Sequence, residues 1–83
     1  SESFNLRFRT GRARLEMAKI TQNSAEKLTL VVAAIQDLSG NMPWVWRARY
    51  LHDTLVGADR KDAVTQFQQM GMHRDAKQAL AGD

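Results

Sequence analysis

Residues Ser24 to Leu38, SAEKLTLVVAAIQDL, are the most apolar stretch of the chain. At about 100° per residue, Ala25, Leu28, Val31, Val32, Ile35 and Leu38 share one side of a helix, the spacing of a core-facing stripe. The other side is not plainly polar, because Leu30, Ala33 and Ala34 lie there and only Glu26, Lys27, Gln36 and Asp37 near the two ends suit water. A helix apolar around most of its girth must be covered from more than one direction, by other segments of the chain or by a second copy.

That requirement matters because the chain is short. With 83 residues it makes one domain, and a domain of this size buries only about 60% of the surface its unfolded chain exposes. Self-association would add what a small core lacks. Hydrophobic content of 43% against 25% charged residues is that of an ordinary globular domain. There is no cysteine, which removes disulfides, thiolate metal sites and thiol chemistry together. No apolar run approaches the roughly 18 residues of a membrane span, and the N-terminus lacks the basic-then-apolar order of a signal peptide, so a cytoplasmic protein is expected. The net charge of +3 is unevenly spread. Residues 1–20 hold Arg7, Arg9, Arg12, Arg14 and Lys19 against Glu2 and Glu16, which places the positive field at the front of the chain.

In chain order, SFNLRFRT (3–10) alternates apolar Phe4, Leu6 and Phe8 with polar Asn5, Arg7 and Arg9, the period of a half-buried strand. Residues 1–10 are therefore expected as an extended basic arm and residues 11–83 as a single helical domain. Thr10 can cap a helix from about Gly11 to Gln22, with Ala13, Met17 and Ile20 as its packed stripe. Ser24 is a candidate N-cap for the central helix, and Gly40 suits a left-handed position after it. Pro43 fits the first turn of a third helix that Gly57 closes, with Trp44, Ala48, Leu51 and Leu55 on its inner face. Asp59 can cap a fourth helix carrying Ala63, Val64, Phe67 and Met70, and after Gly71 a short last helix buries Met72, Ala76, Ala79 and Leu80. The expected fold class is all-α: a small bundle of four to five short helices around 24–38.

Two groups of residues could carry function. On the third helix, Trp46 and Tyr50 lie away from the inner face and are flanked by Arg47 and Arg49, the composition of binding surfaces. Alternatively these aromatics are simply packed, covered by the arm through Phe4 and Phe8. The basic front end, LRFRTGRAR, places an arginine every two or three residues, suited to tracking phosphates. Catalysis finds little support: His52 and His73 are far apart in sequence, neither has a metal-binding companion at helical spacing, and Asp53 sits at an adjacent helical position that points elsewhere.

Ser3 to Arg9, followed by two helical segments, resembles the strand and helices of the ribbon-helix-helix repressors of the Arc type. That resemblance implies an obligate dimer with paired strands in the DNA major groove, Ser3, Asn5 and Arg7 facing the groove and Phe4, Leu6 and Phe8 the core. The chain departs from that pattern by lacking a glycine-containing turn between the helices and by extending well past the motif. Asp62 to Leu80, with Met70, Gly71 and Met72 at the loop, is similar to the first two helices of ubiquitin-associated domains, although Met72 stands where an aromatic is usual.

The function expected from the sequence is a non-enzymatic interaction module acting by protein–protein contact, in an oligomer or larger assembly. Its contact residues are Trp46, Tyr50, Arg47 and Arg49, with Phe4 and Phe8 as a second surface. The alternative is a small DNA-binding protein using Asn5, Arg7, Arg9, Arg12 and Arg14. No metal, cofactor or small-molecule substrate is expected.

Overall fold

The computed structural model describes residues 2–82. All its regular structure is helical: α1 (Glu2–Ile20), α2 (Ser24–Asp37), α3 (Met42–Val56), α4 (Lys61–Gln69) and α5 (His73–Leu80). Each helix packs chiefly on the next in sequence, so the chain forms two helical hairpins, α1–α2 and α4–α5, joined through α3. The all-α class is as the sequence implies.

The extended arm is not found. Residues 2–10 are the first half of α1, and the ribbon-helix-helix reading fails with the strand it required. The reason lies in an ambiguous pattern. Phe4 and Phe8 alternate with polar neighbours, yet with Gly11, Leu15 and Ala18 they also form a 4-3-4-3 helical stripe. A strand here would need a partner for its backbone groups, whereas a helix pairs them internally. Thr10 is consequently inside a helix and caps nothing.

The side of α1 that packs is Gly11, Leu15 and Ala18, all buried. The stripe expected to pack, Ala13, Met17 and Ile20, is exposed. On α2 the buried residues are Val31 and Ala34, with Leu38 just beyond. The contact face is thus turned by roughly a quarter of the helix circumference from the expected one. Ala34, assigned to the rear, is fully buried, while Val32 is exposed and Leu30 half-buried. Small residues explain the turn: α1 and α2 meet where side chains are shortest. A Cβ on Gly11 would lie 2.7 Å from Leu38 Cγ and 2.8 Å from Asp37 Cβ. Gly40 likewise does not adopt positive φ; a Cβ there would lie 2.8 Å from the Phe4 ring. The two helices run antiparallel, with Phe4 near Gly40, Gly11 on Leu38, and Leu15 clustered with Ala34.

Asparagines provide the side-chain caps of both following helices. Asn23, not Ser24, caps α2 by accepting from the Glu26 N–H at 3.0 Å. Asn41 caps α3, accepting from the Trp44 N–H at 3.1 Å, ahead of Pro43 in the first turn. Gly57 ends α3 at φ 72°, and Gly71 separates α4 from α5 at the same angle. In each turn a backbone hydrogen bond closes the helix end, Ala58 N–H to Asp53 C=O in the first and Met72 N–H to Phe67 C=O in the second, both at 2.8 Å. Asp59 accepts from the Lys61 N–H at 2.8 Å, one residue outside the α4 cap position.

The core is divided. Leu15, Ala34, Leu38, Val45 and Ala48 form one cluster, and Ala63, Phe67, Ala76 and Ala79 a second. Helix α2 therefore organises only the first. Trp46 packs against both clusters, which makes α3 the connecting element. Extents of 35 × 31 × 16 Å describe a plate. Its accessible surface of 5547 Å² exceeds by about 10% the roughly 5,000 Å² of a compact chain of this mass.

Gly11→Ala should lower stability by about 1–3 kcal/mol although alanine is the better helix former, because the new methyl group forces α1 off α2. Thermal unfolding of the variant beside an exposed control substitution measures this, and an unchanged or raised Tm would show that the contact yields.

Candidate functional site

Among the described residues, arginine–aromatic stacks cluster around α3 and the facing side of α1. Two guanidinium groups lie over the Trp44 ring, Arg12 Cζ at 4.1 Å and Arg47 Cζ at 4.6 Å from its centroid. Arg12 also approaches Phe8 at 5.9 Å, Arg49 covers Trp46 at 5.0 Å, and Arg60 approaches Tyr50 at 5.8 Å. Three of these pairs are local, at i,i+4 for Phe8–Arg12 and i,i+3 for Trp44–Arg47 and Trp46–Arg49, where neighbouring helical turns bring side chains together. Each contributes about 0.5–1 kcal/mol at an exposed position and fixes the direction of its guanidinium group.

Beside this ladder runs a cleft of about 400 Å³. Helix α3 lines it with Trp44, Arg47 and Tyr50, α1 adds Lys19, and α5 adds Arg74 and Asp75. Arg47 donates to Asp75 through Nε at 3.3 Å and Nη2 at 3.2 Å, a forked pair that ties α5 to α3. Because Asp75 is already matched to Arg47, and Lys19 to Glu16 at 3.2 Å, Arg74 leaves the cleft with the surplus positive charge. Its floor is aromatic and its rim cationic, so it favours a carboxylate or other anion beside an apolar group.

The residues anticipated on α3 are divided between two sides. Arg47 and Tyr50 line this cleft, while Trp46 and Arg49 line a shallower one with Ile35, His52, Asp53 and Asp62. Trp46 and Tyr50 are half-buried and pack with the α4–α5 cluster, and Tyr50 meets Phe67 edge-on at 6.2 Å. Their cover is α4 and α5 rather than Phe4 and Phe8, which lie on α1 against Gly40 and the first cluster. Trp44 and Arg12, assigned to no shared site from sequence, stand at the centre of the ladder. The i,i+3 spacing of Trp44 and Arg47 was the legible signal; nothing local places Arg12 over the same ring.

The arginines of α1 diverge. Arg7 donates to the Gln36 carbonyl at 3.0 Å, Arg14 pairs with Asp37, and Arg12 stacks on Trp44. Arg9 and Asn5 are exposed on the same side of the helix as Arg12, opposite Arg7 and Arg14. His52 Nδ1 lies 3.0 Å from Asp53 Oδ1, closer than their adjacent helical positions imply. Among the described residues, no three His, Asp or Glu side chains gather as metal ligands, and no helix is long and apolar enough to cross a membrane.

Trp46→Ala should loosen the α4–α5 hairpin while leaving α1–α2 closed, since that ring is shared by the two clusters. Hydrogen exchange checks this: amides of 61–80 should lose protection by at least tenfold, and those of 11–37 far less. Comparison with protein-family models, with curated proteins and with solved structures finds no match to this chain.

Proposed function

We propose that this chain is a non-enzymatic helical interaction module that works by protein–protein contact within an oligomer or larger assembly. The observation that carries the reading is Trp44, lining the cationic cleft, with Arg12 and Arg47 both stacked on its ring. Tryptophan and arginine are the residues most enriched where single side chains dominate binding energy. Here stacking orients them beforehand, which lowers the entropy lost when a partner docks. The partner surface this chemistry fits is acidic with an interleaved apolar or aromatic side chain: the carboxylate meets Arg12, Lys19 or Arg74, and the apolar group meets the ring. Tyr50 lines the cleft, and Arg49 with Trp46 extends the surface across α3.

The same geometry supports contact with protein over contact with duplex DNA. Groove tracking needs cations on one face; here Arg7 and Arg14 are held on α2 at one side of α1, and Arg9 and Arg12 share the other side with Glu16 between them.

The test is a titration followed by tryptophan fluorescence, using a synthetic peptide that alternates glutamate with leucine and phenylalanine and, separately, a short DNA duplex. The peptide should give a saturable change, and Arg12→Ala, at an exposed position, should weaken it about five- to tenfold without altering the circular dichroism spectrum. No response to peptide, with duplex binding whose log affinity falls by about 0.9 per phosphate contacted against log salt, would replace this reading with the nucleic-acid one.

A further inference from the structure

Helix α1 carries two apolar stripes. The inner one, Phe4, Phe8, Gly11, Leu15 and Ala18, packs on α2 and the first core cluster. Two residues out of phase, Leu6, Thr10, Ala13, Met17 and Ile20 repeat the same 4-3-4-3 spacing on the opposite side, the spacing of a helix–helix seam. Among the described residues no element covers its large side chains: Leu6 is 65% exposed, Met17 53% and Ile20 81%. The sequence thus specifies a packing face for which the fold supplies no partner.

We propose that this outer face is a self-association surface on which α1 of a second copy docks antiparallel. The inference rests on the oligomeric half of the proposed function and uses a surface separate from the α3 ladder. The stripe is self-complementary in that orientation. Its middle positions, Thr10 and Ala13, are small and meet each other across the two-fold axis, allowing close approach. Leu6 of one copy falls opposite Met17 of the other, and Ile20 opposite Ser3, so bulk lies at both ends.

Charge complementarity along one flank names a second copy of this chain as the occupant. Along one flank of the seam lie Arg9 and Glu16, both exposed. Antiparallel docking sets Arg9 of each copy beside Glu16 of the other, giving two matched pairs. Parallel docking would instead bring Arg9 beside Arg14 of the second copy. The opposite flank sets Arg7 of each copy beside Arg14 of the other, a like-charge approach softened because Arg14 is paired with Asp37 and Arg7 is drawn aside to the Gln36 carbonyl of its own chain. Glu16 now pairs with Lys19 at 3.2 Å, an exposed i,i+3 contact that is cheaply exchanged. A single helix of about 28 Å buries less than the roughly 800 Å² per partner of a standard interface, so the dimer is weak, with Kd on the order of tens of micromolar.

Sedimentation velocity between about 10 and about 500 µM tests this, over the range in which such a dimer forms. The wild-type chain should pass from monomer to dimer, and Ile20→Arg should remain monomeric throughout with unchanged helicity. Arg9→Glu and Glu16→Arg should each raise Kd about tenfold, since each replaces two attractive pairs by two repulsive ones. An equimolar mixture of those two variants should recover wild-type affinity, because one chain then carries both acids and the other both bases. A wild-type monomer at the highest concentration overturns the proposal, as does an Arg9→Glu variant that associates as tightly as wild type or more so. If that monomer still responds to the acidic peptide, only self-association falls. A dimer indifferent to the peptide upholds this face and removes the α3 surface.

Discussion

The close approach of α1 to α2 governs the rest of the molecule. Gly11 has no side chain where Leu38 and Asp37 press against it, and Ala18 and Ala34 keep the helices near along the rest of their contact. Once these small positions are fitted together, the rotation of α1 about its axis is fixed. That rotation sends Phe4 onto Gly40 and lets Arg7 and Arg14 reach the end of α2. It also delivers Arg12 to Trp44, and it leaves the second apolar stripe facing away. A bulkier contact would have turned α1 and dissolved both candidate surfaces.

A second consequence follows from how little of the chain is shared between the two hairpins. Each cluster is small, and α3 joins them through the Trp46 ring, the Tyr50–Phe67 edge contact and the Arg47–Asp75 fork. The fork has both side chains partly shielded and contributes roughly 1 kcal/mol, so the aromatic contacts are the larger part of the joint. A plate assembled from successive neighbours exposes more of each helix than a closed bundle of the same mass would. This geometry explains why an 83-residue chain keeps large apolar groups such as Leu6, Met17, Ile20 and Leu80 in water. The surplus apolar surface anticipated for α2 is in fact carried mostly by α1, because α1 is packed on one side only.

The arginines gain their character from the same arrangement. In an isolated helix each would be a solvated charge on a flexible stem. Stacking on Trp44, Trp46, Phe8 and Tyr50 removes part of that freedom and presents several guanidinium groups in fixed directions around one element. Contact with an acidic protein surface would use such a fixed array; a continuous phosphate backbone calls for an unbroken line of cations, and on α1 Glu16 interrupts the face that Arg9, Arg12 and Lys19 share.

Much of the local structure was legible in the sequence. Pro43 and Gly57 bound α3 closely, the stripe Ala63, Val64, Phe67 and Met70 faces the core as its spacing required, and Gly71 breaks the chain between α4 and α5. These features are decided within a turn or two of backbone, by missing donors, left-handed angles and helical period. Residues 3–10 were misread because a short alternation satisfies period two and period 3.6 alike, and only a packing partner chooses between them. Which of two equivalent stripes on α1 is buried, which side of α2 receives it, and which arginine finds which ring were set by the tertiary structure alone. The physical reason is that a hydrophobic pattern states which faces avoid water, while the depth to which two helices can approach states which faces meet.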